Sequence, residues 1–285
     1  MADPKYRLDT NVAGPLYVDR SCIDCDTCRQ LAPATFADVH GRSSVTVQPR
    51  DAGELERALQ ALVACPVGAI GDAAHRPVRD AVAAFPQRID GPVSYLGFNA
   101  ASSFGADSYL LEHGAGNWMI DAPRWTGSLA RAIAERGGLR YIFLTHRDDV
   151  ADAARYAAHF GAQRIIHAAD RRAMPDAEIL IDGDAPVVFG DVTIVPTPGH
   201  SRGSCVLHYG TYLFTGDHVA WSRHTGKLRA HRTYSWDYEQ QLRSVERLCA
   251  YEFTWILPGH GDRVRLDVDE VRSALHELAC GAPAR

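Results

Sequence analysis

At 285 residues the chain has room for two domains, and with 46% hydrophobic and 23% charged residues it can bury a core in each. A net charge of −5 at pH 7 is mild and of the wrong sign for a general nucleic-acid binder. No apolar stretch approaches the roughly 18 residues of a membrane span, and no secretory signal precedes the first motif, so the expectation is a cytoplasmic protein with no nucleic-acid and no membrane partner.

The first motif is a run of cysteines. Cys22, Cys25 and Cys28 recur on a three-residue beat, and Cys65 follows at a distance with Pro66 behind it. Such a run puts three thiolates on one loop around a cubane, the remote cysteine supplies the fourth sulfur, and proline restrains the chain that leaves it. Ala32-Pro33 stands where a two-cluster ferredoxin carries a Cys-Pro for its second cluster, so one cluster is expected. With Cys25 in the second position every iron corner has a thiolate, which selects a 4Fe–4S over a three-iron cluster. A structural zinc is the competing reading, because Cys-x2-Cys pairs also suit tetrahedral zinc. Zinc sites come as two separated pairs, however, and leave a third cysteine on the same beat without a role. Disulfides are disfavoured in this compartment, and Cys205, Cys249 and Cys280 are scattered. Over about the first 75 residues the chain resembles the monocluster bacterial-type ferredoxins. The resemblance implies low-potential electron transfer.

Behind the cysteine run, Gly41 to Val47 reads as a short hairpin, and Asp51 with Glu54 three residues on reads as a capping box that opens a helix. Leu55, Leu59 and Leu62 share one face of that helix, which would bury it before Cys65. A Pro-punctuated segment, residues 76–92, is expected to link a domain at 1–75 to a second at 93–285. From Pro92 on, short apolar strands alternate with helices, with no internal repeat.

Four strand-like runs in this second part end in metal-competent side chains. Tyr141 to Leu144 leads into Thr145-His146-Arg147-Asp148-Asp149, and Val192 to Val195 leads into Thr197-Pro198-Gly199-His200. Tyr212 to Phe214 leads into Thr215-Gly216-Asp217-His218, and Trp255 to Leu257 leads into Pro258-Gly259-His260-Gly261. Rigid strands that deliver ligands at their ends are how a fold holds a first coordination shell. The order T-H, P-G-H, T-G-D, P-G-H-G resembles the metallo-β-lactamase fold over about residues 93 to 280. The implied fold class is α+β, a ferredoxin-like iron–sulfur domain followed by an αββα sandwich. Asp121, after Trp118-Met119-Ile120, matches the family's aspartate at the end of an early strand, in a structural role.

The first metal motif of that family, T-H-x-H-x-D-H, is altered here. In strict register His146 remains, and Asp148, Val150 and Ala151 stand at the next three positions. The resemblance then implies a site of His146, Asp148 and His200 with Asp217 reaching it, and a second site reduced to His260 and a share of Asp217. One zinc or iron ion is the expected load, with the second position in doubt. A register shifted by two residues lets Asp152 fill the aspartate slot. Asp149 and Asp152 also fit the start of a helix over residues 150–160, as N-cap and N3, so ligation and capping both stand for that pair.

A zinc or iron ion lowers the pKa of bound water and polarises a substrate oxygen, and Asp217 would orient the water as the catalytic carboxylate. Arg223, Lys227, Arg229 and Arg232 follow the Asp217 strand, where the family places substrate loops, and either hold a carboxylate or phosphate of a small-molecule substrate or form a solvated face, with Trp221 lining the pocket or simply packing. Hydrolysis of a small ester, thioester or lactone is the expected reaction. Hydrolysis needs no electrons, so two alternatives remain open. One is an oxidoreductase in which the cluster feeds a non-heme iron, supplied by an external electron donor or reductase. The other is a non-catalytic electron-transfer partner.

Overall fold

A computed structural model describes residues 2–281. The chain forms two compact units, Met1–Leu139 and Arg140–Arg285.

In the first unit, strand β1 (Leu16–Val18) leads to the cysteine loop and helix α1 (Thr27–Leu31). A hairpin of β2 (Phe36–Asp38) and β3 (Ser43–Val45) follows; it begins earlier than the Gly41 to Val47 reading, with its turn over residues 39–42. Helix α2 (Ala52–Ala64) then runs to Cys65, and β4 (Ile70–Asp72) returns antiparallel to β1. Asp51 caps α2 by accepting from the Glu54 N–H at 2.8 Å. Glu54 does not complete the expected box, because its carboxylate turns back to the Arg50 N–H and guanidinium. Leu59 is buried, but Ala58 and Ala61 rather than Leu55 and Leu62 form the rest of the innermost face. The two leucines pack at its margin against Leu16, Val18, Phe36, Val45, Cys28 and Cys65.

The segment expected to be a linker carries structure of its own. Helix α3 (Arg79–Ala83) and strand β5 (Gln87–Asp90) lie within it, and β5 pairs antiparallel with β6 (Val93–Tyr95). Strands β7 (Tyr109–Leu111) and β8 (Trp118–Ile120) extend the meander, and α4 (Gly127–Ala134) is capped by Thr126. Every residue of β6, β7 and β8 is buried. Asp121 closes β8 at φ +53, buried, as its position in the sequence predicts.

In the second unit, β9 (Tyr141–Phe143), α5 (Ala153–Phe160), β10 (Gln163–His167) and β11 (Ile179–Ile181) make parallel pairs, β9 with β10 and β10 with β11. Parallel strands covered by helices read as short apolar runs, which is the pattern of Ile142-Phe143-Leu144. Strands β12 (Val187–Phe189), β13 (Val192–Pro196), β14 (Cys205–Tyr209) and β15 (Tyr212–Gly216) then form an antiparallel run. A hairpin of β16 (Ala220–Ser222) and β17 (Lys227–Arg229) and helix α6 (Tyr238–Arg247) precede β18 (Trp255–Pro258), which pairs parallel with β15. β19 (Val264–Arg265) closes the edge of that sheet, and α7 (Val268–Cys280) packs over Val245, Leu248, Phe253 and Ile256.

Helix α5 starts later than the sequence predicts. Ala151 sits at φ +26, a conformation that cannot continue a helix back to Val150, and Asp152 occupies the N-cap position without a side-chain cap. Asp149 is therefore not the N-cap. It lies upstream of the turn and is buried.

Candidate metal centre and iron–sulfur site

The ends of β9, β13, β15 and β18 bring together His146, His200, Asp217 and His260. Thr145 ties the ends of β9 and β15 together. Its backbone oxygen accepts from the Cys205 N–H at 2.8 Å, and its hydroxyl lies 3.0 Å from His146 Nδ1. Gly216, at φ +50, allows the end of β15 to press against it, since a Cβ there would fall 2.3 Å from Thr145 Oγ1.

With Nδ1 facing Thr145, His146 aims Nε2 at carboxylates, 3.8 Å from Asp148 Oδ2 and 3.7 Å from Asp217 Oδ2. His200 Nε2 lies 3.9 and 3.7 Å from the same two oxygens, and the two imidazoles meet edge-on at 4.8 Å. Ligands placed tetrahedrally around zinc at ordinary bond lengths stand about 3.4 Å apart, so the observed spacing fits an ion with slight closure. His146 Nε2 is buried and has no hydrogen-bond partner. Leaving such an atom unsatisfied costs about 1–3 kcal/mol, and a cation between these groups removes the deficit.

The ligand atoms form two overlapping groups, His146 with Asp148 and His200, and His146 with Asp149 and Asp217. Burial pushes the His146 pKa down to about 4, against the pull of Asp217, so the imidazole is neutral and ligand-competent near neutrality. Burial opposes ionisation of Asp217, but the charge and hydrogen bond of His260, with His146 and His200, outweigh it and hold the carboxyl well below its usual range.

Asp149 Oδ2 lies 4.0 Å from His146 Nδ1. Gly259 makes room for both inner carboxylates, because a Cβ on it would stand 2.8 Å from Asp149 Oδ2 and 2.9 Å from Asp217 Oδ1. His260 stands outside both groups. Its Nδ1 is 2.9 Å from each Asp217 oxygen and its backbone N–H donates to Oδ1 at 3.1 Å, so it orients Asp217. Asp152 also belongs to neither group.

In the first unit, Cys22 and Cys25 lie on the loop before α1, Cys28 within it, and Cys65 at the C-cap of α2. All four thiols are free, and they are near enough to perturb one another electrostatically. Burial pushes Cys25 up to about 11 and raises Cys28 and Cys65, so thiolates there require a bound cation. The Ala69 N–H already points at Cys65 Sγ, at 3.3 Å. Four converging thiols with an amide aimed at sulfur fit an iron–sulfur cluster.

Residues 103–260, more than half of the chain, match the metallo-beta-lactamase superfamily. The chain belongs to that superfamily. Residues 18–72 match the 4Fe-4S single cluster domain of Ferredoxin I. Among curated proteins, the hydroxyacylglutathione hydrolase of Anaeromyxobacter dehalogenans is 33% identical over 42% of this chain and 49% of its own length. That of Citrobacter koseri is 29% identical over 56% of this chain and 67% of its own length. The match thus spans about half of the first of these relatives.

Among solved structures, the metallo-beta-lactamase FIM-1 from Pseudomonas aeruginosa in the mono-zinc form aligns with a TM-score of 0.51 at 19% identity. The alignment covers 67% of this chain and 92% of that one. The superfamily protein ST1585 from Sulfolobus tokodaii aligns with a TM-score of 0.50 at 17% identity, over 69% and 90% of the two chains. These likenesses show the lactamase fold. Together with the cysteine domain they imply a 4Fe–4S cluster and a divalent metal.

The basic residues after the Asp217 strand are largely engaged elsewhere in the lactamase fold. Arg223 pairs with Asp262, Lys227 pairs with Glu277, and Arg232 lies over the Tyr238 ring at 5.5 Å. Trp221 is partly buried and exchanges backbone hydrogen bonds with Asp262. Arg229 lies close enough to His231 to help lower its pKa, after burial.

Two residues of the site escape a sequence reading. Gln241 on α6 is fully buried, donates to the His218 carbonyl at 2.6 Å and accepts from Ser235, which ties the Asp217 loop to the helix. His218 is buried, with neither ring nitrogen hydrogen-bonded, and burial followed by the nearby charge of His200 pushes it down to about 3. The pair Asp217-His218 was the only available signal for it. Gln241 has none, because a glutamine on a polar helix looks solvent-facing.

Proposed function

We propose that the protein is a metal-dependent hydrolase acting on a small ester, thioester or lactone. The observation that carries this reading is the buried imidazole pair, His146 and His200, whose Nε2 atoms face the carboxylates of Asp148 and Asp217 at 3.7 to 3.9 Å. His146, Asp148 and His200 would hold one zinc or iron ion, with Asp217 beside them and Asp149 behind. A bound divalent ion supplies Lewis-acid polarisation of the substrate carbonyl and activation of water. Asp217, held as a carboxylate, accepts a hydrogen bond from the attacking water through Oδ2 and orients it. His260 keeps that carboxylate from rotating, through Nδ1 and its backbone N–H. Likeness to hydroxyacylglutathione hydrolases favours a thioester within this class.

The four-thiol site favours a second reading, in which the cluster delivers electrons to iron held by the same histidines. The two separate by experiment. Protein purified anaerobically and analysed for zinc, iron and sulfide is assayed on a panel of thioesters and esters, with and without chelator and with and without dithionite. Chelator-sensitive turnover without a donor supports hydrolysis. A strict requirement for the donor overturns it in favour of redox catalysis.

A further inference from the structure

The cysteine motif does not by itself enclose its own thiols. Residues 95–124 lie beyond the matched cysteine domain and overlap the lactamase match, yet they reach the cysteine domain at three points, one of them a thiol. Gly105, at φ +86, passes directly against Cys25, since a Cβ there would stand 2.6 Å from Cys25 Cβ and 3.0 Å from Sγ. Asn99, fully buried, has its amide nitrogen within reach of three acceptors, the Gly105 carbonyl at 2.7 Å, Asp107 Oδ1 at 3.0 Å and Thr27 Oγ1 at 3.2 Å, and its two protons are shared among them. Its own oxygen accepts from the Tyr95 hydroxyl at 2.6 Å. Arg124 donates through Nη1 to the carbonyls of Cys65 and Asn99, both at 2.9 Å, and through Nη2 to that of Val63.

These contacts have an electrical consequence. Thr27 Oγ1 lies 3.4 Å from Cys25 Sγ and 3.4 Å from the Gly105 carbonyl. The hydroxyl can give its proton to either acceptor, but the Gly105 carbonyl already accepts from Asn99 at the shorter distance of 2.7 Å, and Asn99 also faces the hydroxyl oxygen, so the proton goes to the sulfur, the stronger acceptor once it is a thiolate. Arg124, for its part, places a guanidinium charge on the backbone of Cys65, at the C-terminal end of α2. Reduction adds negative charge to a cluster, so a hydrogen bond to its sulfur and a nearby cation both favour the reduced form.

We propose that Thr27, oriented by Asn99, and Arg124 raise the reduction potential of the cluster, so that the segment after the cysteine domain is part of the cluster site and not a neighbour of it. All three are positioning residues that act through Cys25 and Cys65. The test reads the cluster and not hydrolysis, so it stands whether or not the hydrolase reading holds. Full-length protein and the variants Thr27→Val, Thr27→Ser, Arg124→Gln and Arg124→Lys are purified anaerobically, analysed for iron and sulfide, and titrated electrochemically with visible absorption and electron paramagnetic resonance as readouts. Thr27→Val and Arg124→Gln should each shift the midpoint to more negative potential, whereas Thr27→Ser and Arg124→Lys stay near the parent value. Intact clusters with the parent potential in both Thr27→Val and Arg124→Gln overturn the proposal. If those two variants carry no cluster, the residues serve assembly of the site and not its potential, and the proposal is overturned.

Discussion

Gly259→Ala isolates the inner carboxylates of the metal centre. The backbone at this position is not left-handed, so alanine meets no conformational objection there, and the whole effect comes from the new methyl. That methyl would stand 2.8 Å from Asp149 Oδ2 and 2.9 Å from Asp217 Oδ1, about half an ångström inside ordinary contact. Without metal His260 still holds Asp217 and only Asp149 has to give way, so the cost is smaller but not absent. With an ion bound both carboxylates are held, and an inserted methyl in a held site costs about 1–3 kcal/mol. The expected result is a loss of metal affinity of about 10- to 100-fold, measured by competition with a chromophoric chelator. The metal-loaded protein should melt lower by about 2–4 °C per kcal/mol, and the metal-free protein should fall by less. Cluster iron, sulfide and visible absorption should not change, because Gly259 lies in the unit that carries no cluster cysteine. Parent-like affinity together with parent-like melting of the loaded form would refute the idea that Asp149 and Asp217 enclose the ion.

Replacing His200 or Asp217 with alanine should remove the non-cluster metal and leave the cluster spectrum intact, and metal analysis showing unchanged zinc or iron in both variants would count against the site. Asp149→Ala should weaken metal binding by about 10-fold or more whereas Asp152→Ala leaves it within about twofold, read by the same chelator competition. The reverse ranking would restore the shifted register. Metal-free protein should lose stability on acidification from pH 7. His218 is neutral when folded, with its pKa pushed down to about 3, so its contribution is complete above pH 6.5, the ordinary histidine value, and is lost as pH falls from there toward 3. At pH 5 that single group removes about 2 kcal/mol, measurable by urea denaturation, and a pH profile identical in His218→Leu would sink the assignment.

Local spacing carried much of this protein into view. A three-residue beat of cysteines keeps the thiols within reach of one centre, because each thiol's reach is set by a few backbone bonds, and so Cys22, Cys25 and Cys28 stand out in the sequence as candidates together with the remote Cys65. The strand-end motifs were legible for a similar reason, since a short apolar run followed by His or Asp fixes both the strand and the point where its ligand emerges. Tertiary structure decided the rest. Whether Asp149 or Asp152 turns inward depends on one residue, Ala151, whose positive φ delays α5 and sends Asp149 toward His146. The basic run looked like a substrate loop until Asp262 and Glu277, distant in sequence, were seen to take Arg223 and Lys227. Within the supposed linker β5 forms because it turns straight back on β6 as a hairpin, a pairing that Pro-punctuated composition does not reveal. Asn99 and Arg124 carried no sequence signal at all. Their partners Thr27 and Cys65 lie 72 and 59 residues away, and hydrogen bonds over such separations exist only once the chain has folded back on itself.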